Sequence, residues 1–263
     1  MARIIGKFIK GVIGDAVFKT FGDVQIIQAK PKKNKSRRTE GTKKAASMFG
    51  VASNLAREFR MNLSALVTTF YDGTMIFRLN TEVLHSLRYA HNPETATFSF
   101  VEDSFCRLDG FDFNAKSPLE NSLLAMPQVE FSENTLTVML PALNIPKDLK
   151  FPKGATSCKI LVGYTLYDLA NCRRKIEFVS FDVLNKKGTT LPQSWEFEIQ
   201  PGCVCITALS LQFAKSALAG ETILNSKTFN PAAILKAVVI DGEVDKAVTK
   251  SWSRTNTEKI AVG

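Results

Sequence analysis

The sequence predicts an α+β protein: an N-terminal β-hairpin arm, a helical hairpin and a C-terminal antiparallel, immunoglobulin-like β-sandwich. Three observations carry this reading. Residues 1–44 hold 12 of the 34 Lys+Arg and 3 of the 25 Asp+Glu, so the whole net charge of +9 lies in this segment and the rest is neutral. Apolar residues then recur every three or four positions from Ala45 to Ala90, the period of amphipathic helices. From about residue 128 the period falls to two, as in half-buried strands. The expected segments are a basic arm (1–44), a helical hairpin (45–95), an aromatic connector (96–126), a sandwich (127–244) and a polar tail (245–263).

In the arm, Gly6, Gly11 and Gly14 interrupt the first half, and residues 16–20 and 24–28 form a hairpin around Phe21-Gly22-Asp23. An isolated hairpin is marginal in water, so it must lie against something. Gly6 to Gly11 spells G-x-x-x-x-G, but Val12-Ile13 stands where a phosphate loop needs Lys-Ser/Thr. The run from Lys30 to Arg38 holds a proline and no other apolar residue and reads as an extended, solvated linker.

The helical seam runs through Ala45, Phe49, Ala52, Ala56, Phe59, Leu63, Leu66 and Phe70, with Met61 projecting away from it. Thr39 or Thr42 serves as N-cap. Asp72-Gly73 stops the helix, and Ile76, Leu79, Val83, Leu87 and Ala90 mark a second one closed by Asn92-Pro93. The seam is expected to be covered within the chain. In the connector, Phe98/Phe100 and Phe111/Phe113 point to short strands, and Ser117-Pro118-Leu119-Glu120 has the form of a capped helix start. Strands are expected over 135–140, 158–169, 175–184, 195–199 and 203–213, with 223–224 and 237–240 as further members. Trp195 opposite the Cys203/Cys205 strand is the expected core centre, and all five cysteines are expected to be reduced core residues.

Catalytic and metal signatures are missing from the sequence. H-E-x-x-H, G-x-S-x-G and D-x-D-x-D-G do not occur, and the two histidines sit within and at the end of the second helix. No enzymatic activity, cofactor or metal is therefore expected. Asp109, Asp112 and Glu120 near the phenylalanines are expected to be ordinary loop acids, with the lining of a pocket as the minority alternative. The first residues do not form a secretory signal, and no apolar run is long enough to span a membrane. Synthesis in the cytoplasm without a cleaved signal is expected, with membership of a released particle as one destination.

Several features together resemble a known family. They are Gly6-Lys7 through Gly11-x-x-Gly14-Asp15, then Ala29-Lys30-Pro31-Lys32-Lys33, then Thr39 opening a helix with Phe49 and Ala52, then Leu108-x-Gly110-Phe111-Asp112-Phe113-Asn114. Their order resembles an uncharacterised family of Bacteroidota proteins known as a domain of unknown function. The resemblance covers most of the chain; it implies this layout and no activity.

The function expected is a structural subunit of a filament, sheath or virion-like particle, a homo-oligomer built by strand addition of the arm. Val17, Phe18, Val24, Ile26 and Ile27 carry the apolar contacts, with Trp252 as an anchor from the tail. Lys30, Lys32, Lys33, Lys35, Arg37 and Arg38 meet an acidic face. The alternative from another class is nucleic-acid or other polyanion binding through residues 30–44; no aromatic residue is interleaved there for base stacking. A surface- or carbohydrate-binding module is a third, weaker expectation.

Overall fold

The computed structural model describes residues 2–30, 39–67, 70–132, 134–218, 220–244 and 251–263. It is mixed α+β with mostly antiparallel sheets and divides into two units, Met1–Ala45 and Ala46–Gly263.

In the first unit, β1 (Arg3–Ile5), β2 (Phe8–Ile13), β3 (Ala16–Phe21) and β4 (Val24–Ala29) form an antiparallel meander in chain order. The expected hairpin is its second half, with Val17 opposite Gln28 and Phe21 opposite Val24. The glycines read as interruptions are turns. Gly6, Gly14 and Gly22 recur every eight residues with φ of 60°, 55° and 57°. Each takes the first place of a two-residue turn, the II′ arrangement that matches strand twist. Gly11, at φ 122°, divides β2: its first half pairs with β1 and its second with β3. The Ile9 N–H donates to Gln25 Oε1 at 2.8 Å, and Gln25 Nε2 donates to the Lys19 carbonyl at 2.6 Å.

Helix α1 (Glu40–Asn62) opens on Thr39, whose Oγ1 accepts the Thr42 N–H at 3.2 Å. The continuous helix expected to residue 70 instead breaks after Asn62 and resumes as α2 (Ser64–Val67). Polar side chains make the break. Asn62 Nδ2 donates to Tyr167 Oη at 2.8 Å while its Oδ1 accepts from Arg174, and Ser64 Oγ donates to the Met61 carbonyl at 2.6 Å. Phe49, an expected seam residue, is exposed; burial begins at Ala52. Met61 is exposed as its position predicts. Helix α3 (Met75–Ala90) follows, then β5 (His91–Asn92) and β6 (Thr97–Phe98).

In the connector, Phe111 and Phe113 lie outside named strands. Their backbones still bond to the chain at Ile234 and Ala232, at 3.0 and 2.9 Å. The expected capped helix at Ser117 is only a 3₁₀ turn, Leu119–Asn121, without a side-chain cap. Asp112 Oδ1, rather than the Ser117 hydroxyl, takes the Leu119 N–H at 2.9 Å.

The remaining strands are β7 (Gln128–Ser132), β8 (Thr135–Leu140), β9 (Asn144–Ile145), β10 (Ser157–Asp168), β11 (Arg173–Leu184), β12 (Gly188–Thr189), β13 (Gln193–Glu198), β14 (Val204–Ala217), β15 (Gly220–Ile223), β16 (Ala232–Val239) and β17 (Ser253–Arg254). A six-stranded sheet runs β15-β14-β10-β11-β17, with β16 also paired to β14; β13-β8-β7 form a three-stranded sheet. Alternation along β10 and β14 sends side chains to two cores. Tyr167, Ile206 and Ala208 join Leu55, Phe59, Leu79 and Leu87 of the helices. Ile160, Val162, Tyr164, Leu209 and Leu211 join Leu136, Val138 and Phe197 of the three-stranded sheet. Gly163 marks the closest approach of the helical side: a Cβ there would lie 2.8 Å from the Glu177 carbonyl oxygen and 3.2 Å from Leu66 Cδ1.

Three further expectations change. Trp195 is half-buried on β13, which pairs with β8 rather than with the cysteine strand. The core on that side centres on Tyr164 and Phe197, whose rings lie 5.0 Å apart. Cys158, Cys203 and Cys205 are buried thiols as expected, but Cys106 is exposed and Cys172 partly so. Within the tail, residues 251–263 are integrated rather than loose. Ser253 and Arg254 pair with Arg174 and Arg173, Ile260 is buried, and the Gly263 N–H donates to the Phe98 carbonyl at 3.1 Å.

Candidate assembly interface

A strand exposes alternate side chains on opposite faces, and residues paired across an antiparallel ladder share a face. In the β3–β4 hairpin, Phe18 therefore lies with Ile27, and Ala16 with Ala29, on a face without charge. The other face holds Lys19 with Ile26 and Phe21 with Val24. Neither face is covered: no described residue of β1–β4 is buried. Phe21, Val24 and Ile27 are 67, 61 and 62 % exposed. Apolar clusters of this kind on a soluble surface mark interaction sites.

The residues singled out in the sequence are distributed as follows. Val17 and Phe18 are half-buried on β3; Val24, Ile26 and Ile27 are exposed on β4. The hairpin places Phe18 and Ile27 on one face and Val17, Val24 and Ile26 on the other. Lys30 follows β4 with its side chain exposed, and its N–H donates to the Asp15 carbonyl at 2.6 Å. Lys32, Lys33, Lys35, Arg37 and Arg38 lie outside the described residues. Trp252 belongs to the second unit. Its half-buried ring packs on the β core and lies under the Arg173 guanidinium at 5.0 Å, so much of the apolar surface expected to anchor a partner is used within the chain. Sequence reasoning missed Ile4, Ile5 and Ile13, all more than half exposed. The eight-residue glycine spacing is the signal that identifies their strands.

Asp112 and Glu120 line a cleft of about 370 Å³ with Leu119, Met126, Val129 and Leu235. Burial raises the Asp112 pKa above the ordinary carboxylate value, and the nearby Glu120 charge adds to this, against the Leu119 N–H and Arg78. Asp109 lies beside the cleft rather than in its lining: it accepts from Lys236 Nζ at 2.6 Å and from the Ala237 N–H at 2.8 Å. Among the described residues no group of three or more His, Cys, Asp or Glu is placed to hold a metal ion. No described helix is long and apolar enough to cross a membrane.

No family model, curated protein or solved structure matches the chain.

Proposed function

We propose that the protein is a structural subunit that self-associates through its N-terminal arm, by addition of an arm strand to the sheet of another copy. The observation that carries this is the arm's composition: a complete β-meander with apolar residues on both faces of its hairpin and no buried residue. Apolar side chains left in water on both faces of its hairpin mark an interaction surface, and backbone pairing at its outer strands extends naturally onto a neighbour. The two β layers of the second unit are read as an immunoglobulin-like sandwich that acts as the rigid scaffold; the core shared by β8, β10, β13 and β14 supports this.

Light scattering after size exclusion tests the reading. The full chain is expected to elute as a large species that persists at about 1 M salt, where the Debye length is only about 3 Å. A chain lacking residues 1–44, or the full chain carrying Phe21→Lys and Ile27→Lys, is expected to elute as a monomer. A full chain that stays monomeric at high concentration overturns the proposal.

A further inference from the structure

We infer that strand β7 of the second unit is the acceptor: the β3–β4 hairpin of a second copy adds along its free edge. This rests on the proposed self-association and names its other half. Four observations lead to β7.

The first is a free edge. β7 is the outer strand of the order β13-β8-β7 and pairs with β8 alone. Among the described residues, its backbone makes no hydrogen bond elsewhere. Its five residues match the six of β4 in length.

The second is charge. Glu130 and Glu196 lie on the outer face, each opposite Thr137, and Glu198 lies beside them opposite Thr135. Neither a lysine nor an arginine occurs in β7, β8 or β13. Among the described residues, the one cation contact on that face is Lys175 with Glu198 at 3.8 Å, and the Glu198 side chain remains 77 % exposed. An acidic face on a neutral unit complements Lys19, the one cation of the β3 and β4 strands, and the basic run that follows β4 from Lys30.

The third is the agreement of both faces at once. The inner face of β7 carries Val129 and Phe131, which pack on the β core. Adding β4 along this edge with Ile27 and Phe18 on the inner side continues that apolar row. The same choice places Lys19 and Ile26 on the outer side, in line with Glu130. A slip of one residue would reverse both matches.

The fourth is room. The 370 Å³ cleft lies directly beside the β7 segment, lined by Met126, Val129, Leu119 and Leu235. Its lining mixes these apolar residues with Asp112, Glu120 and Lys236, and it leaves space for the inner-face side chains of an added strand. The occupant is a second copy rather than an unrelated strand because this chain itself supplies an uncovered hairpin that carries a lysine on one face and the apolar pair Phe18 and Ile27 on the other.

The test uses full-length chains. Glu130→Lys and Lys19→Glu are each expected to weaken self-association about ten-fold, and the double variant to recover it to within about three-fold of the unchanged chain. Carbodiimide coupling of a mixture of isotope-labelled and unlabelled chains is expected to join Lys19 of one copy to Glu130 of another. Unaffected assembly in both single variants, or lysine links that reach only carboxylates away from β7, overturns the acceptor assignment. The arm's role would then stand or fall separately on the Phe21→Lys, Ile27→Lys chain, whose loss of assembly depends on no particular acceptor. A double variant as weak as the product of the singles also overturns the assignment, because independent damage cannot restore a pair.

Discussion

Glu130 and Glu196 occupy one row across the three-stranded sheet, with Thr137 between them on β8. Two strand spacings put them about 9.6 Å apart, near the Debye length of about 8 Å at physiological salt. Their repulsion is therefore weak but not zero. Replacing Glu130 with Gln should raise the melting temperature of unassembled chain by about 1 °C at low salt, from roughly 0.3 kcal/mol. The gain should vanish at about 1 M salt. The same change should weaken assembly where Glu130 meets Lys19 of a second copy, as proposed. Scanning calorimetry and light scattering on one sample separate the opposite signs.

Asp72 gives the unit its main acid sensitivity in this region. Burial alone would raise its pKa. Hydrogen bonds from the Thr74 hydroxyl, the Ala115 and Thr74 N–H groups and Arg78 outweigh burial and hold the carboxyl below the ordinary range. Arg78 Nη2 lies 2.7 Å away, while its Nη1 donates to the Asp112 carbonyl at 3.0 Å. A group depressed in the folded state contributes stability that is complete above its unfolded value, near pH 4, and is lost as pH falls below it. Asp72→Asn should cost about 2 kcal/mol at pH 7, discounted because Arg78 is partly exposed. The variant should also show a flatter decline of stability between pH 4 and pH 2. Denaturant midpoints across that range check both statements.

Gly163 is fixed by close approach rather than by backbone angle. The Phe178 Cβ and the Glu177 carbonyl both stand 2.8 Å from where its own Cβ would be, and Leu66 of α2 closes the third side. Two of these three neighbours belong to the paired strand β11, which cannot shift without disturbing its long ladder with β10. Gly163→Ala should therefore destabilise the second unit by about 1–3 kcal/mol. Gly50, with open space around its absent Cβ, provides the contrast. Gly50→Ala in the exposed start of α1 should be neutral or stabilising by about 1 kcal/mol.

Periodicity carried the reading where packing followed it. Leu55, Phe59, Leu79 and Leu87 are buried where a helical seam predicts, and Cys158, Ile160 and Tyr164 share one face of β10 as alternation predicts. It failed where a side chain outside the local window decided the outcome. Asn62, bonded to Tyr167 and Arg174, is where the helix ends. Asp112 takes the Leu119 N–H at the start of the turn where Ser117 was the expected cap. Arg173 draws Trp252 onto the body. The arm's apolar residues were legible because five of them lie in one hairpin. Its first two strands were not, because glycine at short spacing was read as interruption when its eight-residue repeat spells successive turns. The acidic row on β7 and β13 could not be read in advance: Glu130 and Glu196 are far apart in the chain, and only strand order brings them together.

The meander's turns bear directly on function. Gly14 and Gly22 sit at φ of 55° and 57° with open space around the missing Cβ, so the obstacle to a side chain there is backbone conformation alone. An L-residue held in that region costs about 1–2 kcal/mol. The arm has no buried residue to absorb such a loss. Gly14→Ala and Gly22→Ala should each loosen the meander and weaken self-association by about ten-fold, since the strand must be ordered before it can add. The second unit holds both hydrophobic clusters, so its thermal transition in unassembled chain should stay within about 1 °C. Gly14→Asn, a residue that tolerates positive φ better than alanine, should recover part of the loss. If alanine weakened association by changing the turn's surface rather than its conformation, asparagine would do no better, and sedimentation equilibrium on the three variants distinguishes the two causes.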